Sequence, residues 1–440
     1  MLSMTASAQA LQPEVLYAFQ ADSSTDANGA NPRAGLVLGN DGQFYGTTEA
    51  GGSSGDGTIF KVTTDGVLTT LTSFNGANGS RPHAELMLDR DGTFYGTTIA
   101  GGSSGEGTIF QVTTNGVLTA LLSFSGDNGA YPQSELVLGS DGNLYGTTTF
   151  SGSGGNGTVF KVTTNGVLTT IVSFNIDNGQ YPSGRLALGS DGSLYGTMQA
   201  GGGHGAGTVF RVTTAGVFAT VVTFSGANGA NPVAGLLLGD DGHFYGTTYH
   251  GGSSGVGTVF KMAANGALTT LHSFGANGSL PNAELVAGRD GSLYGVTRQG
   301  GSGGLLGSGT VFRVTTNGVF TALVAFNATD GALPSKLALG NDGCLYGTTA
   351  NGGPGGGGTI FRLVVSAFTS VARQPGGSVL LTGTGPANGS YRLWASADLS
   401  LPFSSWTLLT SASFDGNGDF SYTDAGEATH PSRFHQLSVP

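Results

Sequence analysis

The segment that decides the fold is Asp91-Gly92-Thr93-Phe94-Tyr95-Gly96-Thr97-Thr98. The pattern Asp-Gly-x-(Phe/Leu)-Tyr-Gly recurs along the 440-residue chain, starting at Asp41, Asp91, Asp141, Asp191, Asp241, Asp290 and Asp342. Successive copies lie about 50 residues apart, and a fixed period of this length indicates a repeat architecture. The chain therefore contains seven copies of one structural unit.

Each copy has the pattern of four antiparallel strands. In the second copy the strands are predicted at residues 84–89, 93–98, 108–113 and 117–124. Asp91-Gly92 and Asn115-Gly116 are typical two-residue hairpin turns. Four strands per repeat predict a β-propeller blade. The alternative, a parallel β-helix, has shorter coils and does not need two hairpins per repeat.

The two ends of the repeat region predict how the ring closes. Residues 14–19 match the fourth strand of a copy but precede the first complete copy, whereas the seventh copy has no fourth strand of its own. Pairing the first strand with the last blade would hide the edges that an open array exposes. We therefore predict an all-β fold in which residues 13–365 form a seven-bladed propeller closed by its N-terminal strand.

The repeat ends near residue 365, and residues 366–440 predict a small β-sandwich-like module. Strand patterns occur at residues 378–384, 390–397, 405–413 and 420–423, with turn signals between them. A module of this size has a minimal core. We expect Trp394, Trp406 and Phe434 to be its apolar anchors.

The amino-acid composition indicates which partners and which cellular compartment are compatible with this chain. Charged residues make up 10% of the chain and the formal net charge is −11, which argues against nucleic acid and anionic membranes. No apolar run reaches the roughly 18 residues of a membrane span. Ala8 and Ala10 form a signal-peptidase-like A-x-A pattern, so residues 1–12 are interpreted as a signal-peptide remnant or a disordered end. We expect a secreted, extracellular or surface-exposed monomer without cofactors.

The repeat resembles the Gloeobacter and Verrucomicrobia tandem repeat family, whose members are often described as choice-of-anchor repeat proteins. The resemblance rests on Tyr-Gly-Thr-Thr, on Gly-Gly-x-x-Gly-x-Gly-Thr-(Ile/Val)-Phe and on a closing Ser-Phe, and it covers about residues 14–364. It implies a bacterial, exported protein with a surface or extracellular role and no established catalytic activity.

The loops divide between two faces of the predicted ring. The Asp-Gly and Asn-Gly turns fall on one face, and the longer glycine-rich loops and proline-containing returns fall on the other, where we expect function. Residues that recur in every copy, such as Asp41 and Tyr45, are interpreted as architectural. Positions that vary between copies are the ligand-binding candidates: Glu49, Gln199, Tyr249 and Arg298 after the second strand, His204 and His250 in the glycine-rich loops, and Glu85, Glu135 and Arg185 at the start of the innermost strand.

These side chains predict a binding or adhesion scaffold that presents one face to a glycan or a protein. A carbohydrate-active enzyme is an alternative, either a polysaccharide lyase using His204 and His250 or a glycoside hydrolase using Asp56 and Glu106. A purely structural cell-surface role is the third. No residues are assigned as catalytic or metal-binding, although Asp415-Gly-Asn-Gly-Asp419 offers a weak calcium-like pattern for which a plain turn is favoured.

Overall fold

The computed structural model describes residues 11–21, 27–301, 306–375, 377–397, 405–425 and 434–439. The elements defined in these residues are 35 β-strands, which form nine sheets. No helix among them is long and apolar enough to cross a membrane. Most of the predicted signal-peptide remnant, residues 1–10, lies outside the described residues.

Seven of the sheets are the predicted blades. The chain begins with β1 (Glu14–Gln20), which belongs to the last blade. Blade 1 has β2 (Val37–Leu38), β3 (Phe44–Thr48), β4 (Thr58–Val62) and β5 (Leu68–Ser73); blade 2 has β6 (Met87–Leu88), β7 (Phe94–Thr98), β8 (Thr108–Val112) and β9 (Leu118–Ser123); blade 3 has β10 (Val137–Leu138), β11 (Leu144–Thr148), β12 (Thr158–Val162) and β13 (Leu168–Ser173). Blade 4 has β14 (Gln180–Pro182), β15 (Ala187–Leu188), β16 (Leu194–Ala200), β17 (Thr208–Val212) and β18 (Phe218–Thr223).

The remaining blades follow the same plan. Blade 5 has β19 (Leu237–Leu238), β20 (Phe244–Thr248), β21 (Thr258–Met262) and β22 (Leu268–Ser273); blade 6 has β23 (Val286–Ala287), β24 (Leu293–Thr297), β25 (Thr310–Val314) and β26 (Phe320–Ala325). Blade 7 has β27 (Ala332–Leu339), β28 (Leu345–Asn351), β29 (Gly356–Leu363) and the N-terminal β1.

The innermost strand of blade 2 is shorter than the sequence predicts. In blade 2 it comprises only Met87 and Leu88, because residues 84 and 85 leave the ladder and line the central channel. The other three strands of that blade match the predicted strands to within one residue at each end. The hairpin turn is also as predicted: Gly92 has a φ of +88°, and Asp91 Oδ1 accepts a hydrogen bond from the Thr93 amide at 2.9 Å.

The predicted closure of the ring is confirmed. Strand β1 pairs antiparallel with β29, with Glu14 opposite Arg362 and Ala18 opposite Thr359. The side chain of Phe19 is buried between blades 7 and 1, where its ring centroid lies 5.7 Å from that of Phe60. The ring is therefore closed by backbone pairing and by apolar packing rather than by a covalent link.

The apolar cores lie between neighbouring blades. Tyr45 packs against Phe94 of the next blade with ring centroids 4.2 Å apart, and its hydroxyl donates to Asp41 at 2.8 Å. This arrangement agrees with the architectural interpretation of both residues: the ring is buried, and the single polar atom of the side chain has a partner.

The C-terminal module is a small sandwich of two three-stranded sheets. Its strands are β30 (Ala367–Arg373), β31 (Val379–Thr384), β32 (Ser390–Ser396), β33 (Thr407–Ser413), β34 (Asp419–Asp424) and β35 (Phe434–Ser438), ordered β30-β31-β34 and β33-β32-β35. The sequence analysis did not predict β30 and β35. Both are edge strands of their sheets.

The expected anchors of this module are wrong. Trp394, Trp406 and Phe434 are only partly buried, and the core is instead formed by Val379, Leu381, Tyr391, Leu393, Phe414 and Phe420. Side chains alternate between the two faces of a strand, and Trp394 follows the inward-facing Leu393. The register of β32 therefore turns the indole away from the core.

Candidate functional site

The proline-containing returns and the ends of the second strands surround a funnel at one end of the central channel. Its volume is about 630 Å³. The lining residues are Arg33, His83, Gln133, Ser183, Gln199, Asn231, Val233, Tyr249, His250, Asn282, Arg298, Leu333, Ser335 and Ala350. Only three of these fourteen side chains are apolar, so the funnel presents mainly hydrogen-bonding groups.

One position of the repeat supplies half of this lining, and the sequence analysis missed it. It is the residue directly after the proline of each return, namely Arg33, His83, Gln133, Ser183, Val233, Asn282 and Ser335. The signal was present in the sequence: a position with six residue types in seven copies lies beside a proline that recurs in every copy. The same seven residues also line the deeper channel below the funnel.

The residues that hold this position in place have a left-handed backbone conformation. The residue before each proline has a positive φ, as in Tyr131 with φ of 56°. The Tyr131 amide donates to the Glu106 carbonyl of the preceding blade at 3.0 Å, and the Tyr131 carbonyl accepts from Thr149 at 3.2 Å. Such a conformation is costly for a residue with a side chain and persists where surrounding contacts enforce it. Here the contacts bind blade to blade and make the funnel wall rigid.

The structure brings four of the nine candidates from the sequence analysis together in the funnel. Gln199, Tyr249, His250 and Arg298 line the funnel. His204 does not line it and is exposed in its glycine-rich loop. The histidine pair considered for a lyase therefore does not share this cavity.

Glu49 lies beside the funnel at the centre of a cationic cluster. Arg33 forms an ion pair with it, His83 Nε2 lies 3.1 Å from its Oε1, and Arg81 Nε lies 3.6 Å from the same atom. The contact with His83, together with the Arg33 guanidinium, lowers the pKa of Glu49 to about 2. This carboxylate is thus ionised and already shared among three basic side chains.

Blade 6 contributes two polar groups to the wall, Arg298 and Asn282. Arg298 is partly buried and forms no ion pair with any described residue. The buried Oδ1 of Asn282 accepts no hydrogen bond within the described part of the chain. Gln199, by contrast, is held in place because its Nε2 donates to Ser183 Oγ at 3.0 Å. Arg298 is therefore available to a ligand in the funnel.

Five charged side chains fill the channel beneath the funnel, three of them predicted candidates. Lys336 Nζ lies 3.3 Å from Glu85, 3.0 Å from Glu135 and 3.1 Å from Glu284. Arg185 contacts Glu135 at 3.2 Å and Glu284 at 3.4 Å. Burial raises the pKa of Glu85 to about 8 against the attraction of Lys336. Two cations thus contact three carboxylates in the channel, and burial favours the neutral form of Glu85.

The acidic clusters do not form a metal site in the described residues. In the channel, the Lys336 ammonium occupies the position between the carboxylates that a cation would need. In the turn at Asp415, one carboxylate oxygen accepts the amides of Asn417 and Asp419, each at 2.8 Å. That oxygen serves the backbone turn.

Three aromatic side chains form a further feature of the loop face that the sequence analysis missed. Phe150 lies with its ring centroid 5.7 Å from that of Tyr131 and 5.3 Å from that of Tyr181. Phe150 is 41% exposed and Tyr131 is 40% exposed. In the repeat, Phe150 is equivalent to His250, and both tyrosines are equivalent to Asn231. His250 and Asn231 line the funnel, whereas the three aromatic residues are not part of its lining. We call these three residues the aromatic rim.

Comparisons with solved structures agree with the propeller fold. The extracellular domain of a protein assigned as a hybrid two-component system of B. thetaiotaomicron has a TM-score of 0.53 at 10% identity, over 96% of this chain and 55% of that one. A protein assigned as a 6-phosphogluconolactonase of Bacteroides fragilis has a TM-score of 0.51 at 16% identity, over 87% of this chain and 98% of that one. This chain thus spans about half the length of the first structure. At such identities the likeness concerns the fold.

Sequence comparison gives the family. Among curated proteins, none matches the chain in sequence. The profile of the Gloeobacter/Verrucomicrobia repeat, however, matches residues 2–189 and 183–388, which together include all seven copies of the repeat. The chain therefore belongs to the Gloeobacter/Verrucomicrobia repeat family.

Proposed function

We propose that this protein is an exported, non-catalytic scaffold that binds a saccharide in the funnel. The observation that carries the proposal is the polar lining, to which all seven blades contribute a side chain and in which six residue types share one cavity at the position after the proline. A volume of about 630 Å³ lies within the roughly 300–1,000 Å³ of small-molecule sites, although most such sites are more apolar. A ligand rich in hydroxyl groups suits this wall better than an apolar one.

The rigidity of the wall supports binding without rearrangement. Backbone hydrogen bonds between adjacent blades hold the residue before each proline, and the lining residue follows two positions later. A site that is already ordered loses little conformational entropy when it binds a ligand. Side-chain contacts such as Gln199 to Ser183 add to this order.

The positions of the carboxylates relative to the funnel support saccharide binding rather than saccharide hydrolysis. None of the described residues that line the funnel is an aspartate or a glutamate. Glycoside hydrolysis ordinarily requires two carboxyl groups flanking the bond to be cleaved. Glu85, Glu135 and Glu284 lie deeper and are engaged by Lys336, so they are poorly placed for that chemistry.

Export is supported by the low fraction of charged residues in the chain, 10%, and by a structural neighbour that is itself an extracellular domain. The family and the fold are compatible with this placement, and the function follows from the site rather than from the fold.

A glycan array followed by calorimetry tests the proposal. We expect selective binding to a subset of saccharides, and at least a ten-fold loss of affinity in Tyr249→Ala and in Arg298→Ala, because each removes a hydrogen-bonding group from the wall. His204→Ala is the matched control, since His204 is also a loop residue but lies outside the funnel. An array without selective binding, or variants that bind as the wild type does, would overturn the proposal.

A further inference from the structure

The charge of the funnel is opposite to that of the whole chain. The chain has a formal net charge of −11, yet the charged side chains that line the funnel are Arg33 and Arg298, and two of its other polar residues are His83 and His250. An excess of one sign within a concave surface concentrates the field there and favours ligands of the opposite sign. The funnel is therefore a cationic site on an acidic protein.

The nearest carboxylate does not cancel this charge. Glu49 is a single negative group, and it is shared by Arg33, Arg81 and His83. Glu49 can balance only one of the two arginines beside it, of which Arg33 lines the funnel and the exposed Arg81 does not. In the channel below, the two cations Lys336 and Arg185 contact three carboxylates, and burial of one of them, Glu85, raises its pKa and favours its neutral form.

Arg298 is the group best suited to hold an anion. It is partly buried, it lines the funnel, and it has no acidic partner among the described residues. A guanidinium presents a planar pair of N–H donors that matches the two oxygens of a carboxylate. Asn282 lines the same cavity and adds an amide side chain to this part of the wall.

From these observations we infer that the funnel selects acidic saccharides, and that Arg298 binds the carboxylate of a uronic acid residue. Tyr249 and the amide side chains of the wall contact the rest of the sugar. This inference rests on the proposed saccharide function and adds the charge of the ligand to it. A carboxylate needs a cationic partner when it is partly desolvated, which Arg298 supplies.

The test uses the full chain and a panel of galacturonate, glucuronate and mannuronate oligosaccharides. Each is paired with its carboxyl-reduced counterpart, which keeps a sugar of the same linkage and loses the charge. We expect at least one acidic member to bind ten-fold or more tightly than its neutral partner. Arg298→Gln should remove this preference, and Arg298→Lys should retain part of it because the charge remains without the planar donor pair.

The outcomes separate this inference from the function on which it rests. Equal binding of acidic and neutral partners would overturn the inference and leave saccharide binding intact. A preference that survives in a folded Arg298→Gln protein would overturn the role of Arg298. Binding of neither form of any pair, alongside a blank array, would overturn both proposals. His204→Ala again serves as the variant that should keep the wild-type preference.

Discussion

Replacing Phe19 by alanine tests whether the N-terminal strand is an integral part of the ring. Phe19 is 1% exposed and belongs to the apolar cluster between blades 7 and 1. Truncation of a buried phenylalanine to alanine costs about 3–5 kcal/mol, because apolar contacts are lost and a cavity is left. At about 2.1 cal/mol/K per residue, the entropy of unfolding for the 350 residues from Glu14 to Leu363 predicts a fall in Tm of about 4–7 °C.

Phe124→Ala is the matched control for this experiment. Phe124 is the equivalent residue of blade 2, is fully buried, and packs against Phe160 at 5.4 Å between ring centroids. Calorimetry should show similar losses for both variants, since both remove the same ring from equivalent environments. Hydrogen exchange should separate them: amides of β29 that pair with β1 should exchange faster in Phe19→Ala only. An unchanged Tm in Phe19→Ala, or unchanged exchange in β29, would refute the closure argument.

Two further predictions concern the channel and the aromatic rim. Burial raises the pKa of Glu85 to about 8, from an ordinary value of about 4.3, so the folded protein binds this proton more tightly than the unfolded chain does. The contribution of this proton to the free energy of unfolding is complete below about pH 4 and is lost as the pH rises through 8. The Tm of the wild type should therefore fall relative to that of Glu85→Gln between pH 5 and 9, and parallel curves would contradict the pKa assignment. The double variant Tyr131→Ala/Phe150→Ala should lower the affinity for a hexasaccharide about five-fold, because roughly 1 kcal/mol of aromatic contact is lost. The affinity for a disaccharide should change little. Equal losses for both lengths would show that the aromatic rim is not an outer subsite.

Much of the fold follows from local sequence signals. The recurring Asp-Gly turn predicts a hairpin because glycine reaches positive φ without strain, and Gly92 has that conformation. The unpaired strand pattern at residues 14–19 predicts closure because a ring needs as many fourth strands as first strands, and β1 indeed pairs with β29. Repetition strengthens both inferences, since one local rule must hold in each of the seven copies.

Which side chains of the C-terminal module face its core could not be predicted in the same way. The module has no internal repeat to average over, and its large aromatic residues alone predict a core that includes Trp394. Whether Trp394 or its neighbour Leu393 faces inward depends on the register between strands, which long-range pairing sets. A shift of one residue would exchange the two faces.

For the site, the sequence by itself identified which positions vary between blades and which face carries them. That was sufficient to select Tyr249, His250, Arg298 and Gln199, because variation among otherwise identical repeats requires no knowledge of distances. Only the tertiary structure decided which of these residues share a cavity, that His204 does not, and that the residue after each proline supplies half of the wall. The physical reason is that a propeller brings together residues about 50 positions apart by packing blades around an axis, so the separation across the funnel depends on blade packing rather than on local sequence.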